Sequence, residues 1–354
     1  MVIRPDTFLS TTGLTPLSVS QTEAYLRRIG LSSAQLNPLG KEEVLRQVHV
    51  AHLLQVPFDT TSTQLPLNWW NAPPRTPVLI QADGHGIGCE LVSVDPVDSY
   101  CRIVEQRRGG YCFNLNSLFA RLLIALGYRV KSFGARVNRR RGEDPNQVGC
   151  DWGAISHLAL VVETEPGVEF LCDVGFGGGS PAYPVPLVHD VEIESLTAGE
   201  RFRVRSELCP HLNLEGAVEG WTLERWVKNW WSPCYHAYRN PLTFSDIEVY
   251  NWYNSTSPHA VFRSFMAVSL LQANGSRKSL TAIADVKKDA PHNMADCEGQ
   301  LIKLYTKDNV VAEEKDVSII PPTFGALYKT LVEEFRWGPE VVNGNHCNVG
   351  TTTR

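Results

Sequence analysis

Patterns that would mark a metal site, a disulfide framework or a membrane span are missing from this sequence of 354 residues. Its nine cysteines are an odd number and form no C-x-x-C pair, which favours a reducing compartment and argues against a zinc site. The histidines show neither H-E-x-x-H nor H-x-H spacing, so we predict no metal. No run of about eighteen apolar residues occurs, and the first residues do not resemble a signal peptide. We therefore predict a cytoplasmic protein.

The charge balance gives no sign of a nucleic-acid partner. The 38 acidic residues outnumber the 33 basic ones, for a net charge of −5. The densest basic cluster, at 138–142, is followed at once by Glu143 and Asp144, so we interpret it as a solvated loop and not as a phosphate-binding site. We predict neither nucleic acid nor membrane as a partner.

The first hundred residues carry helical patterns. Ser18 can cap a helix over 21–29, and apolar residues recur at helical spacing over 41–54 before a proline interrupts them. We predict that residues 1–104 form a helical bundle. The Gly-, Pro- and Asp-rich stretch at 71–96 is interpreted as surface connections.

Beyond residue 130 the apolar residues alternate instead of following a helical period. Together with a helix that starts near Cys112, this pattern predicts a catalytic helix and a β-barrel-like antiparallel sheet over 105–215. The β-rich runs lie at 132–137, 157–162, 169–174 and 201–204.

The last third mixes strand-like runs at 261–271 and 301–305 with a helical pattern at 324–334. We predict an α/β lid over 216–354 that ends in a frayed tail at 343–354. The fold class is therefore α+β. Three tryptophans at helix-like spacing are predicted to pack in the core or in the lid: Trp226, Trp230 and Trp231.

Cys112 has the surroundings of a nucleophile. It follows Gly109 and Gly110 and opens a leucine-rich helical pattern that Gly127 closes. At a helix N-terminus, the unpaired N–H groups and the helix dipole stabilise a thiolate and can receive an oxyanion. The two glycines leave room for a substrate to approach. Taken alone, this pattern is also compatible with a buried, inert cysteine.

Two further segments supply a base and a carboxylate. His157 begins one β-rich run, Asp173 lies near the end of the next, and turn-like residues at 164–167 join the two runs into a hairpin. A three-residue loop at 164–166 would set His157 directly opposite Asp173, whereas a four-residue loop would put them on opposite faces. Because a general base needs a carboxylate to fix its tautomer, we predict an odd-length loop or a bulge with the same effect.

Three motifs in this order resemble arylamine N-acetyltransferases: R-G-G-x-C at 108–112, a histidine at the head of a strand, and D-V-G-F-G at 173–177. Weaker similarities lie at 52–59, where H-L-L-Q-V-P-F-D resembles the family's H-L-x-x-x-P-F-E, and at 254–258. The resemblance covers residues 20–270 and implies a cysteine-protease-like core. The chain most resembles the longer, fungal-type members, some of which favour malonyl over acetyl donors.

The resemblance implies a catalytic triad in which Cys112 is the nucleophile, His157 the base and acid, and Asp173 the residue that orients the histidine. It further implies transfer of an acyl group from acetyl-CoA or malonyl-CoA to an aromatic amine or hydrazine. The positions matched to the coenzyme A site are Gly153, Ala154, Gly175, Phe176 and Gly177. The positions matched to the substrate site are Arg108, Gly110, Ser156 and Phe176.

Two positions depart from the family pattern without removing a triad residue. Asn114 stands where bacterial members commonly have Glu, and Asp59 replaces the Glu of the P-F-E segment. The stretch at 139–152 is longer than in compact members of the family. Details of the donor pocket are therefore the inferences from shorter relatives that this difference affects most.

Two other interpretations of the triad residues remain open. A papain- or transglutaminase-like thiol enzyme also combines Cys, His and Asp in this chain order, and would hydrolyse or cross-link peptides without using coenzyme A. A binding protein could keep the fold with an inert triad. The glycine-rich run at 175–179 lacks the G-K-[ST] ending of a phosphate loop and is predicted to be a tight turn.

Overall fold

The N-terminal part of the chain is helical, as its sequence predicts. The computed structural model describes residues 13–66, 68–78, 92–263, 265–283, 301–308, 310 and 313–338. Ser18 accepts a hydrogen bond from the Gln21 backbone N–H and donates its own N–H to the Gln21 side chain, a capping box that starts the first helix. The α-helices are α1 Val19–Arg28, α2 Ser33–Leu36, α3 Lys41–Gln55, α4 Pro96–Tyr100, α5 Cys112–Ala125, α6 Pro145–Val148, α7 Phe244–Thr256 and α8 Phe324–Phe335.

Eight of the strands form one antiparallel sheet in the order β5-β4-β3-β2-β9-β8-β7-β6. Because β5 at one end contacts β7 near the other, the sheet curls into a nearly closed barrel, which confirms the predicted architecture. The inward side chains of alternating residues, among them Phe133, Leu171 and Phe202, fill it. The strands are β2 Arg129–Asn138, β3 Trp152–Glu165, β4 Val168–Cys172, β5 Val185–Pro186, β6 Glu192–Glu194, β7 Arg201–Glu207, β8 Gly220–Val227 and β9 Trp230–Pro241.

The barrel extends past the predicted boundary at residue 215, since β8 and β9 belong to it. Lys228 and Asn229 have φ values of 50° and 73° and form the two-residue turn between these strands. Trp226 consequently pairs with Trp231 across a hairpin. The helix-like spacing of these tryptophans is therefore misleading, because a tight turn between two strands brings close neighbours in sequence side by side.

The second sheet forms the predicted α/β lid but also uses a strand from the N-terminal region. Its order is β1-β10-β11-β12-β13, with Phe58 of β1 opposite Ser269 of β10. α8 packs on this sheet through Leu327 and Leu331, together with Trp69. The strands are β1 Phe58–Asp59, β10 Phe265–Leu271, β11 Arg277–Ile283, β12 Leu301–Lys307 and β13 Glu314–Ile320.

α5 is the central helix of the molecule. Twelve of its residues, from Cys112 through Leu123, are buried against the N-terminal helices and the barrel. Burial on this scale fixes the helix and therefore the position of its first residue. No helix in the described ranges is long and apolar enough to cross a membrane. The tail predicted at 343–354 lies outside those ranges, as do residues 79–91 of the predicted connection.

Candidate active site

Cys112 is the first residue of α5, preceded by an extended N-cap residue, Tyr111. Packing requires the glycines before it. A Cβ on Gly109 would lie 2.3 Å from the Pro57 carbonyl oxygen, and a Cβ on Gly110 would lie 2.8 Å from the Asn114 Cβ. The glycines therefore let the chain turn tightly against β1 and α5, and this turn presents Cys112 at the helix N-terminus.

His157 and Asp173 meet through a 2.7 Å contact between Nε2 and Oδ2, and both side chains are buried. The hairpin between them pairs Leu160 with Cys172 and carries a bulge at Thr164 beside a two-residue turn. Extending this register puts Asp173 opposite Ala159, two residues from His157 on the same face. The predicted bulge and shared face are thus present, whereas directly opposite pairing is not.

The imidazole of His157 joins the carboxylate to the cysteine. Since Nε2 contacts Asp173, the other ring nitrogen is left for Cys112, whose Sγ lies 3.9 Å from the Ser156 carbonyl oxygen. Burial alone would lower the pKa of His157, but the charge and hydrogen bond of Asp173, aided by Cys112, raise it. Burial would raise the pKa of Asp173, but His157 and the hydrogen bonds to the carboxylate lower it. Both shifts favour an imidazolium held by a carboxylate.

A second set of groups fixes the Asp173 carboxylate, and the sequence patterns do not reveal them. Asn116 Nδ2 and the Gly175 backbone N–H each donate to Asp173 Oδ1, both at 2.9 Å. Asn116 lies four residues after Cys112, so the two project from the same face of α5. On the other side, His49 Nε2 accepts from the Asp173 backbone N–H at 3.1 Å.

A cleft of about 420 Å³ opens onto Cys112 and His157. The Phe176 ring in its wall packs 5.0 Å from the His157 ring, between centroids. A Cβ on Gly175 would lie 2.7 Å from the Cys112 Cα, so only glycine fits there. The positions matched to donor or substrate that line this cleft are Gly153, Ala154, Ser156, Gly175, Phe176 and Gly177.

Comparison with known proteins bears directly on this arrangement. Residues 85–297 match the family model described as N-acetyltransferase. The chain belongs to this family. The arylamine N-acetyltransferase of Mycobacterium tuberculosis strain H37Rv is 32% identical over 190 residues, which cover 52% of this chain and 60% of that relative. N-malonyltransferase FDB2 of Gibberella moniliformis is 26% identical over 229 residues, which cover 61% of this chain and 65% of the relative.

Both alignments span less than two thirds of these curated relatives. Solved structures agree with the N-acetyltransferase fold over almost the whole chain. The arylamine N-acetyltransferase from Salmonella typhimurium has a TM-score of 0.65 at 21% identity, covering 93% of this chain and 96% of that one. The Mycobacterium marinum enzyme in complex with CoA has a TM-score of 0.59 at 21% identity, covering 89% and 92%. The family resemblance seen in the sequence is confirmed.

Two residues matched to the substrate site lie outside the lining of this cleft. Arg108 is buried with its guanidinium carbon 4.0 Å from the centroid of the Trp70 ring and 4.8 Å from that of Trp337. Gly110 packs against Asn114, outside the cleft lining. Arg108 and Gly110 thus belong to the segment that leads to Cys112, and their contact with substrate stays a prediction.

Part of the basic cluster at 138–142 lines the cleft. Arg139, Arg141 and Gly142 line the cleft, and the Arg141 guanidinium lies 5.5 Å from the centroid of the Phe176 ring. Residues 139–141 remain exposed, so the cluster is part of a solvated loop, as predicted, and also forms part of the cleft lining. The described residues contribute five cations and no Asp or Glu to the lining: Arg139, Arg141, Arg225, Arg277 and Lys307.

We find no group of three or more His, Cys, Asp or Glu side chains placed to hold a metal ion in the part of the chain that the structure describes. The departures at Asn114 and Asp59 are structural. Asn114 Nδ2 donates to the Ser93 carbonyl at 2.7 Å, and Asp59 lies 3.6 Å from the Arg102 guanidinium. These two contacts hold the segments around residues 59, 93 and 102 close to the N-terminus of α5.

Replacing His49 by leucine should lower the free energy of unfolding by about 1–3 kcal/mol at pH 7.5, because the buried N–H of Asp173 loses its acceptor. Burial lowers the pKa of His49 to about 4, from an ordinary 6.5. Below pH 6.5 the unfolded chain binds a proton at His49 that the folded chain refuses, so stability falls with pH. Urea denaturation of the wild type and of His49→Leu should therefore give curves that converge as the pH drops from 6.5 towards 4. A constant difference over this range would contradict a neutral, hydrogen-bonded His49.

Proposed function

We propose that this chain transfers an acyl group from an acyl-CoA donor to an amine through a thioester on Cys112, with His157 and Asp173 completing a catalytic triad. The observation that carries the proposal is the 2.7 Å contact between His157 and Asp173 beside an open cleft that both Cys112 and His157 line. The names of the relatives support acyl transfer to nitrogen. The cationic lining suits a polyanionic donor such as coenzyme A.

The first half-reaction loads the enzyme. The raised pKa of His157 favours an imidazolium beside a Cys112 thiolate. The thiolate attacks the thioester carbonyl, a new C–S bond forms, and backbone N–H groups in the first turn of α5 stabilise the oxyanion. The bond to the coenzyme A sulfur then breaks, and the imidazolium gives its proton to that sulfur. One thioester replaces another, so the acyl group stays reactive.

The second half-reaction regenerates the thiolate. An aromatic amine or hydrazine is unprotonated at neutral pH and attacks the acyl carbon, while His157 accepts the proton that the nitrogen loses. The C–S bond to Cys112 breaks, which leaves the amide product and the original thiolate–imidazolium pair. Acetyl and malonyl donors both fit this scheme. Gly153, Ala154, Ser156 and Phe176 are proposed to contact the donor or the amine from the cleft wall.

Incubation with acetyl-CoA or malonyl-CoA, without an amine, should add one acyl group to the intact protein, located on Cys112 by peptide mapping. An arylamine should then remove it, because the thioester is the intermediate of a two-stage transfer. The Cys112→Ser variant serves as the control and should stay unmodified. If mass spectrometry detects no adduct from any acyl-CoA, the transferase proposal fails and a thiol hydrolase becomes the better assignment.

A further inference from the structure

The segment that follows Asp173 is rich in glycine and contacts each of the three residues proposed for the triad. We call residues 175–180 the glycine turn. The N–H of its first residue donates to Asp173 Oδ1 at 2.9 Å, and a Cβ on that residue would lie 2.7 Å from the Cys112 Cα. The ring of Phe176 lies 5.0 Å from that of His157, between centroids. The position of this turn therefore affects all three groups at once.

The sequence of the glycine turn gives it little conformational preference of its own. Four of its six residues are glycine, the residue with the greatest backbone freedom, so contacts must fix its shape. Inside the turn, the Phe176 N–H donates to the Ser180 hydroxyl at 2.9 Å, and the Ser180 N–H donates to the Gly177 carbonyl at 3.2 Å. These bonds close the turn on itself. They do not hold it in place against the rest of the molecule.

The lid sheet supplies contacts that hold the turn from outside. The ring of Phe58 in β1 packs against Gly177, where an added Cβ would lie 3.1 Å from it. Arg277 in β11 adds two directed bonds. One nitrogen of its guanidinium donates to the Ser180 carbonyl oxygen, and another donates to the Gly177 carbonyl oxygen at 3.5 Å. The planar fork of an arginine can bridge two such acceptors, so Arg277 ties the lid to the turn.

Arg277 differs from other cations of the cleft lining in how deeply it is buried. Only 2% of its surface is exposed, whereas Arg139 and Arg141 are exposed residues. Burial lowers the pKa of Arg277 to about 10, from an ordinary 12.5, while the Glu200 carboxylate acts in the opposite direction, so the side chain stays cationic at neutral pH. A buried charge is costly unless polar groups compensate it. The two carbonyl oxygens of the turn supply this compensation.

We propose that Arg277 is a positioning residue for acylation, which holds the glycine turn from the lid and through it keeps Cys112, His157 and Asp173 in their reacting geometry. The inference rests on the proposed transferase function and adds a residue of the lid to it. Loss of both bonds would let the turn shift against α5, and a shift of about 1 Å at a reacting group costs about a hundredfold in rate. Direct binding of the coenzyme A phosphates is the alternative role for a cation in this lining.

The first test measures the maximal rate of Cys112 acylation and the half-saturating concentration of acetyl-CoA. Arg277→Met should lower the maximal rate by about a hundredfold and change the half-saturating concentration by less than about threefold. The same loss of rate should appear with the acetyl thioester of N-acetylcysteamine, which carries no phosphate. An unchanged maximal rate would overturn the proposal. A loss confined to acetyl-CoA, with a raised half-saturating concentration, would assign Arg277 to phosphate binding and overturn it as well.

The second test restores the missing group. In Arg277→Ala, added ethylguanidinium can enter the vacated space and donate to the Gly177 and Ser180 carbonyl oxygens, so it should recover much of the lost rate. Tetramethylammonium at the same concentration has no N–H group and should not. Equal effects of the two cations would overturn the proposal. If the alanine and methionine variants do not fold, Arg277→Lys takes their place. It keeps the charge without the fork and should lose about tenfold in rate.

Two variants of the same strand control for charge and for stability. Lys278→Met removes a neighbouring charge, but Lys278 bonds Glu334 of α8 and not the turn. Leu280→Ala weakens the packing of β11 on α8 and should lower the melting temperature. Both should keep the wild-type acylation rate. A loss in Leu280→Ala equal to that in Arg277→Met would reduce Arg277 to a stabilising residue and overturn the proposal. Failure of every donor to acylate the wild type would instead contradict the transferase function.

Discussion

Replacing Asp173 by asparagine should slow the acylation of Cys112 by about 10⁴-fold while the protein remains folded. The asparagine carbonyl can still accept from Asn116 and Gly175, as Asp173 Oδ1 does. Its NH₂ group then replaces Oδ2 and donates to Nε2 of His157. This forces the imidazole proton onto Nδ1, the nitrogen left for Cys112, where it blocks proton abstraction from the thiol.

Intact-mass measurement of Cys112 acylation after rapid quenching provides the rate. Glu169→Gln is a matched control, because Glu169 is on the same hairpin but bonds Lys131 at the surface, 3.1 Å away. Its rate should stay near that of the wild type. A loss below tenfold for Asp173→Asn would show that His157 does not depend on this carboxylate.

The same substitution should change how stability depends on pH. The lowered pKa of Asp173 stabilises the folded chain above the ordinary carboxyl value of 3.8, and this contribution is lost as pH falls through the lowered pKa. The stabilisation that comes from the raised pKa of His157 is complete below the ordinary histidine pKa of 6.5, and it is lost as the pH rises through the raised pKa. The contribution of the pair is thus complete between pH 3.8 and 6.5. Asp173→Asn should remove most of it.

Local sequence signals were sufficient to predict the position of Cys112 and the shared face of His157 and Asp173. The leucine pattern of α5 and the alternation in β3 depend on neighbours within a few residues. The strand register was harder to predict. The bulge at Thr164 puts His157 and Asp173 on one face of the hairpin, as a three-residue loop would, but it leaves Asp173 two residues away from the position opposite His157. Sequence alone does not distinguish these two solutions.

Contacts between distant segments were beyond the reach of sequence patterns. Arg225 and Lys307 line the same cleft from different sheets, and no periodicity in the sequence links them. Arg108 precedes the Gly-Gly turn to Cys112 in sequence, yet Trp70 and Trp337 enclose it away from the cleft. Proximity in sequence to Cys112 did not predict this enclosure, and the residues that orient Asp173 were identified only from the fold.

Substituting alanine for Gly175 should reduce acylation of Cys112 by about a hundredfold, the cost of displacing a reacting group by about 1 Å. The added Cβ would lie 2.7 Å from the Cys112 Cα and 2.9 Å from Asn116 Nδ2, so Cys112 and the amide that bonds Asp173 must both move. Gly178→Ala is the matched control from the same glycine run, since its Cβ would meet only the Ser269 hydroxyl, at 3.7 Å. The test measures the acylation rate and the melting temperature of both variants. Equal rates would mean that α5 tolerates a shift of its first residue, and that close packing against the turn after Asp173 is not what positions the thiol.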